Sequence, residues 1–74
     1  MMNNIDYHVD NRIDLLIDSI KRNEHFINDS TPKAYNFNSR MVICNNLDFL
    51  QAIRSDIGGE IIHNKTIGTY LYFG

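Results

Sequence analysis

The spacing of the apolar residues changes at Pro32, and this change decides what the chain can fold into. Before Pro32 the apolar residues recur at helical intervals, whereas over residues 34–44 they alternate with other residues. A helical stripe followed by a period of two predicts an α+β fold. Because proline lacks a backbone N–H and its ring clashes with the preceding turn, Pro32 also excludes a continuing helix.

The first apolar stripe predicts one amphipathic helix over about residues 5–24. Residues on one stripe of a helix lie three or four positions apart, and the stripe here consists of Ile5, Val9, Ile13, Leu16, Ile17 and Ile20. An asparagine at position 3 or 4 caps this helix. The alternative is an extended arm over residues 4–9, with a shorter helix capped by Asp10 or Asn11. Phe26 and Ile27 are expected to hold the following chain against the core.

After a loop over residues 28–33, residues 34–44 are predicted to form one half-buried strand. In a strand, alternate side chains point to opposite faces. One face is predicted to carry Tyr35, Phe37, Met41 and Ile43. The other face is predicted to carry Asn36, Asn38 and Arg40.

A second helix over about residues 47–57 follows a pair of asparagines that can cap it, and Gly58-Gly59 ends it because glycine accepts a left-handed conformation. A hairpin over about residues 60–73 completes the chain. The predicted order is α-β-α-β-β. Residues 1–74 thus form a single small domain with two helices packed on a three-stranded, mainly antiparallel sheet.

The size and composition of the chain exclude several classes of protein. It has 74 residues, a formal net charge of −2 and one cysteine, which is typical of one cytoplasmic domain without internal disulfides. It has no apolar run of the ~20 residues that cross a bilayer, so no membrane association is expected. His8, His25 and His63 fall on three elements, and none has a metal-ligand spacing to Cys44. No catalytic residues, metal or cofactor are predicted, and the chain is not expected to be an enzyme.

Four aspartates form the first candidate binding site: Asp6, Asp10, Asp14 and Asp18. Side chains four residues apart on a helix are neighbours, with steps of about 6 Å along the axis. Because like charges at this spacing destabilise a helix, the row is either a solvated face or a surface for a partner. A row of carboxylates at this step resembles the phosphates of a nucleic-acid strand and fits a host protein with a basic surface.

The polar face of the sheet forms a second candidate site. Tyr70 and Tyr72 are predicted to lie on the face opposite Leu71 and Phe73. Together with Asn36, Asn38 and Arg40 they make a mixed aromatic and polar surface. Bases stack on exposed aromatic rings and arginine binds phosphate, so this face is the alternative site for direct binding of nucleic acid.

Residues 41–73 resemble the helix-plus-hairpin part of LAGLIDADG-type homing endonucleases. The resemblance is carried by Leu47 to Arg54, by Ile57 to Ile61 and by Thr69 to Tyr72. It covers less than half of the chain and implies the fold of that part alone. The acidic motif for metal binding and cleavage is missing, so no catalytic residue is transferred.

These features lead to a first hypothesis of a non-enzymatic protein-binding module. Its 11 isoleucines and 10 asparagines indicate an AT-rich genome, typical of a phage or mobile element. The acidic helix face would then inhibit a nucleic-acid-handling host defence enzyme, in the general style of anti-CRISPR proteins. Two alternatives remain: a small nucleic-acid-binding or regulatory protein that uses the sheet face, and a structural subunit that self-associates as a homodimer.

Overall fold

The computed structural model describes residues 4–74, with side chains from Arg12 onward. The chain forms two α-helices, one 3-10 turn and four strands. In chain order these are α1 (Asn4–Arg22), the 3-10 turn (Glu24–Phe26), β1 (Lys33–Asn36), β2 (Met41–Cys44), α2 (Leu47–Ile57), β3 (Glu60–Asn64) and β4 (Gly68–Tyr72). No helix of the described residues is long and apolar enough to cross a membrane.

The first helix is the longer of the two alternatives, because α1 already begins at Asn4. Its described side chains begin at Arg12, and among them Leu16, Ser19 and Ile20 are buried. Ser19 and Ile20 follow Leu16 by three and four residues and thus lie on one side of the helix. The expectation for Phe26 is wrong, since this ring is 38% exposed. Ile27 does pack against the core, so the chain is held there by one apolar side chain rather than two.

Residues 34–44 form a β-hairpin, and the prediction of one continuous strand is wrong. The amide of Ser39 donates to Asn36 Oδ1 at 3.0 Å, and the amide of Arg40 donates to the carbonyl of Phe37 at 3.3 Å. These two bonds close a turn between β1 and β2. Its sequence contains neither glycine nor proline, but Asn38 and Ser39 are common turn residues. The prediction of one strand included both of them.

The hairpin also changes which residues share a face. Asn36 is paired with Met41 across the turn, and paired residues of neighbouring strands point to the same side of a sheet. Met41 and Ile43 therefore share a face with Asn36, whereas Tyr35 lies on the other face with Val42. The predicted common face of Tyr35, Met41 and Ile43 does not exist.

The four strands make one antiparallel sheet in the order β1-β2-β4-β3. The α+β class and the two helices agree with the sequence prediction. The sheet has four strands instead of three, and the element order is α-β-β-α-β-β. The pairing of β2 with β4 joins the two hairpins into this single sheet.

The second helix packs between α1 and the sheet, and its local signals explain its ends. The amide of Phe49 donates to Asn46 Oδ1 at 3.2 Å, which is a helix N-cap. The amide of Gly58, with φ of 82°, donates to the carbonyl of Arg54 at 2.8 Å. The core lies between the helices and the sheet and consists of Leu16, Ile20, Val42, Cys44, Phe49, Leu50, Ile53, Leu71 and Phe73.

Candidate functional site

One face of the sheet is turned away from both helices, and we call it the open face. Two rows of directly paired residues cross it. The first row runs Ala34–Ile43–Tyr70–Ile62, and the second runs Asn36–Met41–Tyr72–Glu60. Each row takes one residue from each of the four strands. The open face is therefore a continuous surface rather than a set of separate loops.

The burial of the side chains distinguishes the two faces of the sheet. Val42, Leu71 and Phe73 are buried under the helices. No residue of the two open-face rows is buried, and Tyr72 is 44% exposed. Apolar and aromatic residues nevertheless make up six of its eight positions, namely Ala34, Met41, Ile43, Ile62, Tyr70 and Tyr72. Such a surface is typical of a binding face.

Arg40 is held beside Tyr72 at one end of this face. The amide of Phe73 donates to the carbonyl of Arg40 at 3.0 Å, which fixes the β1–β2 turn against the end of β4. A Cβ placed on Gly74 would lie 2.8 Å from Tyr72 Oη and 3.0 Å from Arg40 Cδ. A guanidinium group and an exposed aromatic ring are thus neighbours, which is the pair expected for binding phosphate and base together.

The backbone of Arg40 has φ of 59°, in the left-handed region. Glycine and asparagine enter this region at low cost, whereas a side chain such as arginine is strained there. Strained residues persist where the surrounding structure holds them, and they are enriched at functional sites. Here the left-handed residue closes the turn between β1 and β2, where its amide donates to the carbonyl of Phe37.

The structure brings together some of the sequence-predicted polar residues of this site. Asn36 belongs to the second row, although its Oδ1 also accepts the amide of Ser39. Asn38 is exposed in the turn between β1 and β2, outside the two rows. Five further residues of the two rows were missed in the sequence, namely Met41, Ile43, Ala34, Glu60 and Ile62. A turn predicted at residues 37–40 would have placed Met41 and Ile43 on the correct face of the sheet.

A groove continues the open face beyond its first row. It has a volume of about 320 Å³ and lies between the start of the first hairpin and the turn of the second. Ala34 and Ile43 line it on the strands, Ile67 and Gly68 line it on the turn of the second hairpin, and Lys33 also lines it. Its apolar lining and nearby positive charge extend the surface available to a ligand.

Charge is unevenly divided between the sheet and the rest of the chain. The strands with their turns, residues 33–44 and 60–74, contain three basic residues and one acidic residue. The rest of the chain contains four basic residues and eight acidic ones. The sheet layer is therefore net positive by two charges, although the whole chain is net negative by two.

The acidic row on α1 is described in part. Asp14 and Asp18 are exposed, on the side of the helix away from the buried Leu16. The side chains of Asp6 and Asp10 lie outside the described residues. The described half of the row is thus accessible. This agrees both with a solvated face and with a surface for a partner.

A polar cluster that was not expected from the sequence joins the ends of the two helices. Asp56 Oδ2 accepts hydrogen bonds from Ser19 Oγ at 2.6 Å, from Arg22 at 3.0 Å and from Asn23 at 3.2 Å. The bond from Ser19 is the main cause that lowers the pKa of Asp56, and Arg22 adds to it. Because all of these groups serve the packing of α1 on α2, the cluster is structural.

On the helix side of the sheet, Cys44 is buried and free. Burial is the main cause that raises the pKa of the neighbouring Tyr35 hydroxyl, and the charges of Cys44 and Glu24 raise it further. Within the described residues, histidine, cysteine and acidic side chains form no group of three that could hold a metal.

Comparison of the chain with protein-family models, with curated proteins and with solved structures gives no match.

Proposed function

We propose that this protein binds single-stranded nucleic acid on the open face of its sheet, without catalysing a reaction. The observation that carries the proposal is the placement of the exposed Tyr72 beside Arg40 on a face that neither helix covers. This is the alternative function that the sequence suggested, and the geometry supports it better than the acidic helix.

The spacing of the tyrosines supports base stacking. Tyr70 and Tyr72 lie two residues apart on β4 and thus on one face, about 7 Å from each other. Aromatic side chains on the exposed face of a four-stranded sheet can stack two or three successive bases. Ile43 and Met41, which pair with the tyrosines across the strands, extend this platform with apolar surface.

The charge distribution supports binding of the phosphates. Arg40 and Lys33 belong to the sheet layer, whose net charge is positive, and no acidic residue lies between them in the first hairpin. Most of the affinity for nucleic acid comes from such contacts with phosphates. With few basic residues available, the protein is expected to bind weakly and to lose affinity as salt rises.

The local resemblance to homing endonucleases concerns the fold of residues 41–73 alone and does not identify a ligand. It does not support cleavage, because the acidic motif of that family has no counterpart in this sequence. We therefore propose binding alone.

The experiment is fluorescence anisotropy with labelled single-stranded DNA and RNA, with a duplex of the same sequence for comparison. Replacing Tyr72 by leucine removes the ring from the open face but keeps apolar volume. We expect this variant to bind single strands about tenfold more weakly, because a base–aromatic stack contributes ~1–3 kcal/mol. The Tyr70→Leu variant is expected to behave similarly.

Phe26→Leu is the matched control, because Phe26 is also a partly exposed aromatic residue but lies in the 3-10 turn, outside the sheet. Its affinity is expected to equal that of the unmodified protein. Equal affinity of the Tyr72 variant and the control would contradict the proposal. Preferential binding of the duplex would contradict the single-stranded part of it.

We keep inhibition of a nucleic-acid-handling host enzyme as a second candidate function, because Asp14 and Asp18 are exposed four residues apart. The partner would present a basic groove, and the carboxylates would occupy it in place of phosphates. Electrostatic attraction of this kind speeds association and weakens with salt. The phage or mobile-element origin remains part of this proposal.

Its test is the capture of proteins from a bacterial lysate by the tagged protein, compared with the Asp14→Lys/Asp18→Lys variant. The second candidate predicts that a nuclease or other nucleic-acid enzyme binds the unmodified protein only, and that added nucleic acid displaces it. Capture that the double variant retains, or that nucleic acid does not compete with, contradicts this candidate.

A further inference from the structure

The groove between the two hairpins lies one step beyond the tyrosines on the same strand. The open-face residues of β4 recur at every second position, and Gly68 comes next after Tyr72 and Tyr70. Gly68 lines the groove, and a Cβ placed on it would meet nothing within 4 Å. Where the series would continue with a third side chain, the surface therefore leaves space.

The groove forms because β2 and β4 separate at this end of the sheet. Their register ends with the pair Ile43–Tyr70, whereas β2 stays paired with β1 as far as Cys44, and β4 stays paired with β3 as far as Gly68. Cys44 and Thr69 would form the next pair of β2 with β4, and both line the groove. Since the ladder between these strands stops here, backbone N–H and C=O groups border the groove beside its side chains.

Both sides of the groove are held in place by hydrogen bonds. In the second hairpin, Asn64 Oδ1 accepts the amides of Thr66 and Ile67, each at 2.8 Å, which fixes the turn that carries Ile67. On the other side, Asn45 lies between the end of β2 and Asn46, whose side chain caps α2. The two sides are thus preformed, so binding of a ligand costs little rearrangement.

The side chains of the groove suit a nucleic-acid base, which has apolar faces and a polar edge. The apolar part of the lining consists of Pro32, Ala34, Ile43 and Ile67. Asn45 adds a side-chain amide, which offers both a donor and an acceptor. The amides of Asn46 and Asn64 already serve the helix cap and the turn, whereas Asn45 is exposed. Such amides hydrogen-bond the edges of unstacked bases.

The charge of the groove suits the backbone of the same strand of nucleic acid. Lys33 is the charged residue among the described residues that line it, and none of them is acidic. Lys33 begins β1 and Arg40 directly precedes β2, so the first hairpin places them at opposite ends of the open face. A strand that crosses the two tyrosines therefore meets a positive charge at each end.

We propose that the groove binds a third base of the single strand whose neighbouring bases stack on Tyr72 and Tyr70. This base lies over Gly68, its edge hydrogen-bonds the amide of Asn45, and the adjoining phosphate approaches Lys33. The site thus takes three nucleotides between Arg40 and Lys33. The inference rests on the proposed binding of nucleic acid and adds to it the size of the site and the place of its third base.

The experiment is a titration of the isotope-labelled full chain with short oligothymidylates, followed by NMR. We expect trithymidylate to bind about tenfold more tightly than dithymidylate, because a third base is held. A fourth nucleotide should change the affinity by about twofold or less, because only its phosphate can reach a basic residue. The amide of Gly68 and the side-chain amide of Asn45 should shift with trithymidylate.

An abasic residue separates the base from its phosphate. Two analogues of trithymidylate, each without the base at one end, keep both phosphates. We expect either analogue to bind like dithymidylate to within about twofold, since each offers two bases to three positions. This comparison uses the unmodified protein and so does not depend on the folding of a variant.

Asn45→Ala tests the proposed contact with the base edge. We expect it to weaken binding of trithymidylate about fivefold, as for the loss of one hydrogen bond, and to leave the affinity for dithymidylate unchanged. Gln51→Ala is the matched control, because it removes a similar amide at an exposed position on α2, and it should leave both affinities unchanged. Circular dichroism checks that each variant is folded.

The outcomes separate this inference from the proposed function. If dithymidylate, trithymidylate and the abasic analogues bind equally, or if Asn45→Ala and Gln51→Ala behave alike, the third base is not in the groove. The proposed function then still stands, provided that the signals of Tyr70 and Tyr72 shift and that Tyr72→Leu weakens binding. If no oligonucleotide shifts the signals of the two tyrosines, the proposed function fails and this inference fails with it.

Discussion

Ser19 on α1 donates its hydroxyl hydrogen to Asp56 Oδ2 on α2 at 2.6 Å, across 37 positions of the sequence. Ser19 is completely buried, and among the side chains that the structure describes it is the one buried polar residue. The same carboxylate oxygen accepts hydrogen bonds from Arg22 and Asn23. One carboxylate therefore satisfies a buried hydroxyl and fixes the end of α1 on α2.

This contact predicts that acid destabilises the protein through Asp56. Hydrogen bonds, first from Ser19 and then from Arg22, lower its pKa from the ordinary value of 3.8. A carboxyl group with a lowered pKa in the folded state stabilises that state fully above its ordinary pKa. The contribution is lost as the pH falls from the ordinary value through the lowered one. Urea unfolding at a series of pH values from about 7 to 2.5 should show this loss.

Asp56→Asn tests the source of the effect. At neutral pH the variant should unfold at a lower urea concentration than the unmodified protein, because the charge-assisted bonds are lost. Its stability should also fall less steeply between neutral and acidic pH. Asp29→Asn, at an exposed position in the loop before β1, is the control. A pH dependence identical in the Asp56 variant and the unmodified protein would assign the acid sensitivity to other carboxylates.

Replacing Gly59 by alanine is expected to lower the stability of the protein strongly. It has φ of 113°, and a Cβ at this position would lie 2.6 Å from the carbonyl oxygen of Tyr72. Gly59→Ala must therefore move the backbone where α2 leads into β3. We expect a loss of more than about 2 kcal/mol of unfolding free energy, measured by urea or thermal unfolding.

Gly58→Ala is the matched control for that prediction. Gly58 also has a positive φ, of 82°, but a Cβ there would meet nothing within 4 Å. Its alanine variant bears the conformational strain alone, which is about 1–3 kcal/mol for φ of 82° with ψ of −172°, so it should lose less stability than Gly59→Ala. If the two alanine variants are equally stable, the close approach of Gly59 to Tyr72 does not limit substitution.

The parts of the fold that follow from local signals could be predicted from the sequence. The range of α2 coincides with the predicted residues 47–57, because the cap at Asn46 and the stop at Gly58 lie within the segment itself. The faces of β4 also follow from its alternation, which separates Tyr70 and Tyr72 from the buried Leu71.

Two parts of the fold could not be predicted. One is the hairpin of β1 and β2, whose turn contains neither glycine nor proline, and the other is the long-range pairing of β2 with β4. The β1–β2 turn is closed by Asn36 and by a left-handed Arg40. The alternation of apolar residues runs on through the turn, so the sequence pattern resembles that of one continuous strand. The open face requires β2 to pair with β4, which lie about 30 residues apart in the sequence. Without that pairing, Met41 and Ile43 could not be placed beside the tyrosines.

Arg40 provides a test that separates stability from binding. Arg40→Asn keeps a residue that tolerates the left-handed region, so stability should be unchanged or higher by up to about 1 kcal/mol. Binding of single-stranded nucleic acid should weaken, and the slope of log affinity against log salt should become shallower by about one. Arg54→Gln, at an exposed position on α2, should leave both unchanged. A lower unfolding free energy with unchanged affinity for nucleic acid would show that the role of Arg40 is structural.

Asp14 provides the last test, which decides whether the acidic row is an ordinary solvated face. Asp14 has an aspartate four residues away on either side, Asp10 and Asp18, and like charges at this spacing destabilise a helix. Asp14→Lys replaces two repulsive pairs by two attractive ones, so unfolding free energy should rise by about 0.5–1 kcal/mol. Asp29→Lys makes the same change of charge outside the helix and should have little effect. If Asp14→Lys stabilises the protein and Asp29→Lys does not, the natural row of aspartates lowers the stability of the helix. This is expected of a surface that serves a partner. No gain means that the carboxylates are already compensated, and the row then needs no partner to explain it.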